Sequence, residues 1–353
     1  MSENPGRVRK KKNERSSILL MTLWMLSILA TFTSYLGYMV QQRVLVVSKI
    51  EDNEELHFIA EAGVKRALAE FGASKFSSAF VSLAGNCADN PAAFRDILLG
   101  RGNFSVAYEH KDRQSGQTEL RFGLIDEERK ININYAPVEI LSALFRFIGL
   151  DNYDSGRLAY AIVDYRDSDT VTRDGIPEEF YYGESGRPPV IKNSNFEIPD
   201  EIKLLQGMNK DILAKIANYI TVYGAGAVNI NTASADILMI MGLSRQLADK
   251  VIAFRCGGDG KQDSEDDNYV DDLRSYVARM EMAIPLGDEE KTELESFLLS
   301  GLLTTRSNYI SASCTAFLNK KNKAVSINCV SDVSGKIYYW TERRYMAVRR
   351  LFL

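Results

Sequence analysis

Histidine is nearly missing from this sequence: its 353 residues include two, His57 and His110. Neither has a nucleophile elbow, a metal-ligand pair or a phosphate loop around it, so the familiar motifs of hydrolases, zinc enzymes and nucleotide-dependent enzymes are absent. The four cysteines form no Cys-x-x-Cys, which excludes a zinc knuckle or a dithiol redox centre of that kind. Charge is missing from Ile18 to Val40, and no proline interrupts the chain from there to about Phe71. The clustered acids lie in polar stretches with nothing to raise a carboxyl pKa, which argues against a glycosidase-like pair. The chain therefore reads as non-enzymatic.

What is present is first of all asymmetric. The formal net charge is -4, yet residues 1–16 hold Arg7, Arg9, Lys10, Lys11, Lys12 and Arg15 against Glu3 and Glu14, a segment of +4 that leaves -8 for the rest. An acidic body disfavours general nucleic-acid binding. The 23 residues of Ile18–Val40 would span roughly 30 Å of hydrocarbon as a helix. That is too long for an ordinary secretory signal core, and the basic stub before it places the stub inside and everything after Gln41 outside.

Beyond Glu54 the pattern becomes amphipathic. Ala60, Val64, Ala67, Leu68 and Phe71 recur at helical spacing, with Glu61, Lys65, Arg66 and Glu70 between them. A helix half in lipid and half packed on a head is the expectation. Strand-like pieces follow at Phe104–Tyr108 and Glu119–Gly123, read as a hairpin about the turn-rich Asp112–Gly116. More close the chain at Tyr309–Phe317, Ala324–Val330 and Ile337–Trp340, separated by Asn319–Asn322 and Asp332–Gly335. A sheet that starts before residue 134 and resumes after 305 implies an insertion between.

That insertion repeats itself. Asn132-x-Asn134-x-Ala136 recurs as Asn229-x-Asn231-x-Ala233, Ile140-Leu141 as Ile237-Leu238, and Gly149-Leu150 as Gly242-Leu243. Leu158-Ala159-x-x-Ile162-Val163-x-Tyr165-Arg166 is answered by Leu247-Ala248-x-x-Val251-Ile252-x-Phe254-Arg255. Asparagine as cap and glycine as breaker make each copy helix, hairpin, helix. In DNA-binding units of that shape a second hairpin glycine helps hold phosphate; here Asp151 and Ser244 stand in its place, so helix packing is favoured over nucleic acid.

Two loops are dense in carboxylates. Asp164, Asp167, Asp169, Asp174 and Glu178 form one, Asp259, Asp263, Glu265, Asp266 and Asp267 the other. Hard oxygens at this density suit calcium, although the spacing is no EF-hand and either loop could be a solvated charge run. An even number of cysteines outside the cell membrane suits two disulfides: Cys314 with Cys329 on consecutive strands, leaving Cys87 with Cys256.

The order of these elements resembles the K-type minor pseudopilins of type II secretion. Ser17-Ile18-Leu19-Leu20-Met21-Thr22-Leu23-Trp24 is similar to their mature start, with tryptophan near the eighth position, and Ala60-Glu61-Ala62-Gly63-Val64 to their Ala-Glu-Ala-Gly helix signature. The resemblance implies an α+β, pilin-like fold: a long transmembrane and amphipathic helix on an antiparallel sheet, with an all-α insertion of two helix-hairpin-helix-like (SAM-like) repeats. It implies a leader over 1–16, a transmembrane helix over 17–40, a pilin-like domain over 41–134 and 305–353, and an inserted domain over 135–304. Prepilin peptidase would cut between Ser16 and Ser17, where the family has glycine before the cut. Met21 then holds the fifth mature position, where most pilins carry glutamate, a lack shared by K-type members. The implied role is a tip subunit of the pseudopilus, in the inner membrane with its head in the periplasm, meeting other minor pseudopilins, the major pseudopilin and secreted exoproteins. The acidic loop is similar to a family motif that binds calcium in some members. A membrane-anchored DNA receptor of the competence kind and a tethered calcium-dependent enzyme are the alternatives.

Overall fold

The structure is a computed structural model that describes residues 14–74, 87–111, 118–173, 175–177, 192–260, 262, 266–318 and 323–346. The chain divides into two compact units, Met1–Glu55 and Leu56–Leu353. Helix α1 (Glu14–Ser74) contributes to both.

In the first unit the aliphatic run of α1 is uncovered, from Ile18 and Leu19 to Leu36 and Val40. Ser17–Gly72 is the one helix among the described residues long and apolar enough to cross a membrane. Its threonine hydroxyls are already satisfied: Thr22 donates to the Leu19 carbonyl at 2.9 Å, Thr31 to Ser27 and Thr33 to Leu29, each at 2.8 Å. Threonines bonded back into their own helix present little unmet polarity to hydrocarbon.

The second unit is built on an antiparallel sheet in the order β1 (Ile97–Leu99), β2 (Gly102–Val106), β10 (Tyr309–Leu318), β11 (Lys323–Asp332), β12 (Ile337–Met346), with β5 (Ile125–Asp126) also on β10. Strict alternation in β10 buries Ile310, Ala312, Cys314 and Ala316 on one face. Against that face lie Leu56, Ile59, Ala60, Val64, Ala67 and Phe71 of α1, together with Phe104 and Val106. The helical stripe is thus the core of this layer. Gly63 sets how close it comes: a Cβ there would collide with the Cys314 Sγ and stand 2.7 Å from the Phe104 ring.

The hairpin differs from its expectation. Phe104 and Val106 are drawn to the main sheet by burial, so β2 pairs with β10, and the hairpin forms one step later between β3 (Tyr108–Lys111) and β4 (Thr118–Arg121). Its turn, and that at Asn319–Asn322, lie outside the described residues.

A second core runs from Ile131 to Leu303 and takes in Val330 of β11. It holds α3 (Val138–Phe147), α4 (Asn152–Arg166), α5 (Lys210–Ile216), α6 (Ala235–Ile240), α7 (Arg245–Arg255), α8 (Tyr276–Ala283) and α9 (Asp288–Leu299). Two parallel clips bracket it: β6 (Ile131–Asn132) on β7 (Ile220–Thr221), and β8 (Val228–Asn229) on β9 (Leu303–Thr304). The repeated asparagines make these clips and are not helix caps. Asn132 Nδ2 donates to the Tyr223 carbonyl at 2.8 Å while its Oδ1 accepts from Asn134 N at 2.9 Å. Asn134 Nδ2 donates to the Phe196 carbonyl, and its Oδ1 accepts from Phe196 N. In the other copy Asn231 N donates to Asn229 Oδ1 at 3.0 Å and Asn231 Nδ2 to the Val270 carbonyl at 2.8 Å. Arg166 and Arg255 close the two loops on the carbonyls of Ala136 and Ala233. The asparagines lie too deep to cap; Pro137 precedes α3 and Ser234 caps α6.

Candidate functional site

Phe58 stands 61 % exposed on α1 beside the buried Ile59. His57 donates toward Glu342 of β12 at 2.8 Å and lies 3.9 Å from Glu61, which Lys65 holds at 2.8 Å. Burial pushes the Glu342 carboxyl up, but its bonds with Arg344 and His57 outweigh that and hold it below the usual range. This chain of pairs joins helix to last strand without the geometry of an acid–base centre. His110 lies apart in sequence, on β3.

The first acidic loop is partly assembled. Asp164 is buried on α4, and Asp167 follows that helix as its C-cap. Asp167 Oδ1 and Asn193 Oδ1 are buried oxygens with no hydrogen-bond partner, while Asn193 Nδ2 donates to the Asp169 carbonyl at 2.7 Å. The Asp169 side chain accepts from Val171 N at 2.9 Å. Burial, then the charge of Asp169, raises the Asp167 pKa. Asp174 and Glu178 lie outside the described residues. Asn193 was not foreseen; nothing local marks it except its left-handed φ of 49°.

The second loop is closed on itself. Asp266 Oδ2 accepts from Gly258 N at 2.7 Å and Asp259 N at 3.0 Å, and Tyr269 OH donates to Asp267 at 2.6 Å. Asp263 and Glu265 lie outside the described residues. Among the described residues, no cluster of three or more His, Cys, Asp or Glu is disposed to hold a metal ion.

The cysteines are thiols in this structure, where disulfides were expected. Register is the reason for one pair: Cys314 stands opposite Ile327 and Cys329 opposite Ala312, so the two are diagonal on the buried face. Burial pushes both thiols up, Cys329 to about 11. Cys87 belongs to the sheet core, whereas Cys256 caps α7. Ser17 is exposed on α1, and the side chain of Ser16 lies outside the described residues.

The repeated hairpins are also occupied from within. Gly149 N donates to the Arg146 carbonyl and Gly242 N to the Met239 carbonyl, at φ values of 98° and 114° that suit glycine. The residues in place of a second glycine are N-caps: Asp151 accepts from Asp154 N and Ser244 from Leu247 N. Ser244 N itself donates to Glu293 at 2.5 Å. A phosphate would meet carboxylates at both hairpins.

With this geometry in view, the comparisons are specific. A family described as type II secretion system (T2SS), protein K, matches residues 121–225. No curated protein matches the chain. A chain of the crystal structure of the GspK-GspI-GspJ complex from the enterotoxigenic Escherichia coli type 2 secretion system has the same fold. It is 16% identical, with a TM-score of 0.58 over 84% of this chain and 99% of that one. The resemblance drawn from the sequence to protein K of type II secretion therefore stands.

Proposed function

We propose, for a chain whose residues 121–225 match protein K of type II secretion, that it is a minor pseudopilin at the tip of the pseudopilus. There it assembles with other minor pseudopilins, supports growth of the filament and so serves the export of folded proteins. The single observation that carries this reading is α1: uncovered and charge-free from Ile18 to Val40, then buried from Leu56 to Phe71 on a sheet whose fold matches the GspK-GspI-GspJ structure. A single membrane anchor with the head outside follows from the basic stub, and the role is non-enzymatic. Prepilin peptidase cuts between Ser16 and Ser17. Met21 in place of the usual glutamate fits a subunit with no neighbour above it.

The helical part is read as two helix-hairpin-helix-like repeats that serve packing. Their hairpin N–H groups are already bonded within the chain and faced by Asp151 and Glu293, which leaves the DNA-receptor alternative without support. Calcium fits the first loop better than the second. Asp167 Oδ1 and Asn193 Oδ1 are buried acceptors without donors, and a hard cation would satisfy such oxygens together with Asp169. Asp266 is already satisfied by backbone N–H groups.

The test is photocrosslinking of the full-length protein in membranes with a benzophenone residue at Phe58 on the exposed side of α1. Adducts with two other minor pseudopilins are expected. Adducts with the major subunit at regular stoichiometry along sheared filaments would remove the tip placement.

A further inference from the structure

From the end of β5 toward β6 the chain places three acids in a row, Asp126, Glu127 and Glu128, and buries all of them to 4% exposure or less. Each holds a different, distant piece of chain. Asp126 Oδ2 accepts from Thr232 Oγ1 at 2.6 Å, Ser307 Oγ at 2.7 Å and Asn229 Nδ2 at 2.9 Å, while its Oδ1 accepts from Glu128 N at 2.9 Å. Glu127 accepts from Thr221 Oγ1 at 2.7 Å and from Lys130 Nζ at 2.6 Å. Glu128 accepts from the backbone N–H of Asn308 and, at 3.2 Å, from its side chain. The tied segments are the end of the first clip, the start and end of the second, and the return into β10. The exit from β5 toward the helices and the return into β10 both pass this corner.

Three buried carboxylates facing one ammonium is an expensive way to fasten a joint, because each ionised group must be desolvated. Amides or hydroxyls would serve better if fastening were all. We propose that this corner is a proton-dependent joint: with Asp126 protonated it locks both clips to the sheet, and on ionisation of Asp126 beside Glu127 and Glu128 it loosens them. Thr232 and Ser307 make the change possible without breaking contacts, since a hydroxyl can donate to the carboxylate or accept from the carboxylic acid. The other titratable groups facing the corner are Lys130, Tyr223 after β7 and Tyr309 on β10.

Burial raises Asp126 above the ordinary carboxyl range despite its donors, and it raises Glu128, to which Asp126 adds its charge. Glu127 is also pushed up by burial, yet Lys130 outweighs this and holds it low. The signs follow. A raised acid contributes stability that is present below its unfolded pKa and lost as pH rises through its folded one; Glu127 contributes above its unfolded pKa and loses this as pH falls. The joint is tight in a window closed on the acid side by Glu127 and on the alkaline side by Asp126.

Hydrogen exchange read by mass spectrometry on the full chain in detergent tests this, comparing wild type with Asp126→Asn at the same pH so that intrinsic rates cancel. At mildly acid pH the peptides spanning 228–233 and 303–308 exchange alike in both. At alkaline pH they exchange measurably faster in wild type than in Asp126→Asn, while the peptide over 323–332 does not differ. Equal protection of the two proteins at both pH values overturns the proposal. So does loss of protection in Asp126→Asn at both, which would mark a permanently ionised structural group. If Asp126→Asn does not fold, Glu128→Gln is compared instead: a flattened pH dependence supports the joint and an unchanged one overturns it.

Discussion

The sheet region and the helical region are held together by different means. Between α1 and the sheet the contact is apolar and close, with Gly63 admitting Cys314 and Phe104 where no side chain fits. The helical region buries an equally apolar core, but its outline is drawn by polar side chains that bind backbone: Asn132 and Asn134, Asn229 and Asn231, Arg166 and Arg255. Shape complementarity fixes the first region, and hydrogen bonds reaching from 22 to 91 residues along the sequence fix the second. The first should therefore fail by crowding and the second by loss of a single polar atom.

The largest expected effect is on the sheet. Gly63→Val overfills the helix–sheet contact and should cost about 3 kcal/mol or more, read as a fall in the denaturant midpoint of the detergent-solubilised protein. A loss under about 1 kcal/mol would show that α1 can slide. Asn229→Ala should cost about 3 kcal/mol, because it strips a donor from Asp126 and an acceptor from Asn231 N, both buried. Asn132→Ala breaks the matching clip and should cost nearly as much. If only one of the pair matters, the two copies are not held alike.

Calcium sharpens the contrast inside the helical region. At a hundred times its dissociation constant it should add about 2.7 kcal/mol, seen as a higher melting temperature than in chelator. Asp167→Ala with Asp169→Ala should abolish the shift, and Asp266→Ala should leave it. In the sheet region acid acts on two pairs: Glu61, held low by Lys65, and Glu342, held low by Arg344 and His57 despite burial. Their contribution is present above the unfolded carboxyl pKa and is lost as pH falls through the lowered folded values. Exchange at the β11–β12 amides should rise on that descent in wild type and less in Glu342→Gln. The smallest effects belong to Gly149→Ala and Gly242→Ala. A Cβ meets nothing within 4 Å at either, so each should cost only the left-handed backbone, about 1 kcal/mol.

The same contrast decides what could be read from the sequence. The stripe Ala60 to Phe71 and the alternation of β10 are periodic, and periodicity reports which face is buried. The repeat was equally visible, but its asparagines looked like caps because capping is the local use of that residue. Their actual partners, such as Tyr223 and Val270, lie too far along the chain for any local pattern to name. The hairpin was misplaced for a related reason: Phe104–Tyr108 reads as one strand, whereas Ala107 N bonds Ser313 in the sheet and the chain then leaves it. The Asp126–Glu128 corner carried a signal, three acids just before an apolar Ile131. A run of charge is ordinarily solvated, so burial could not be inferred.

Strand β10 lies between β2 and β11 although some 200 residues separate it from β2. A chain synthesised from its amino end presents α1 and β2 long before the strand that must cover them. The apolar stripe of α1 stays uncovered while the helical region emerges, and that region closes its clips within its own sequence. Long-range pairing of this kind is slow and exposes sticky surface meanwhile. Strands β10 to β12, the last to be made, thus complete what α1 and β2 begin, and a chain stalled before Tyr309 would leave the α1 stripe without most of its sheet.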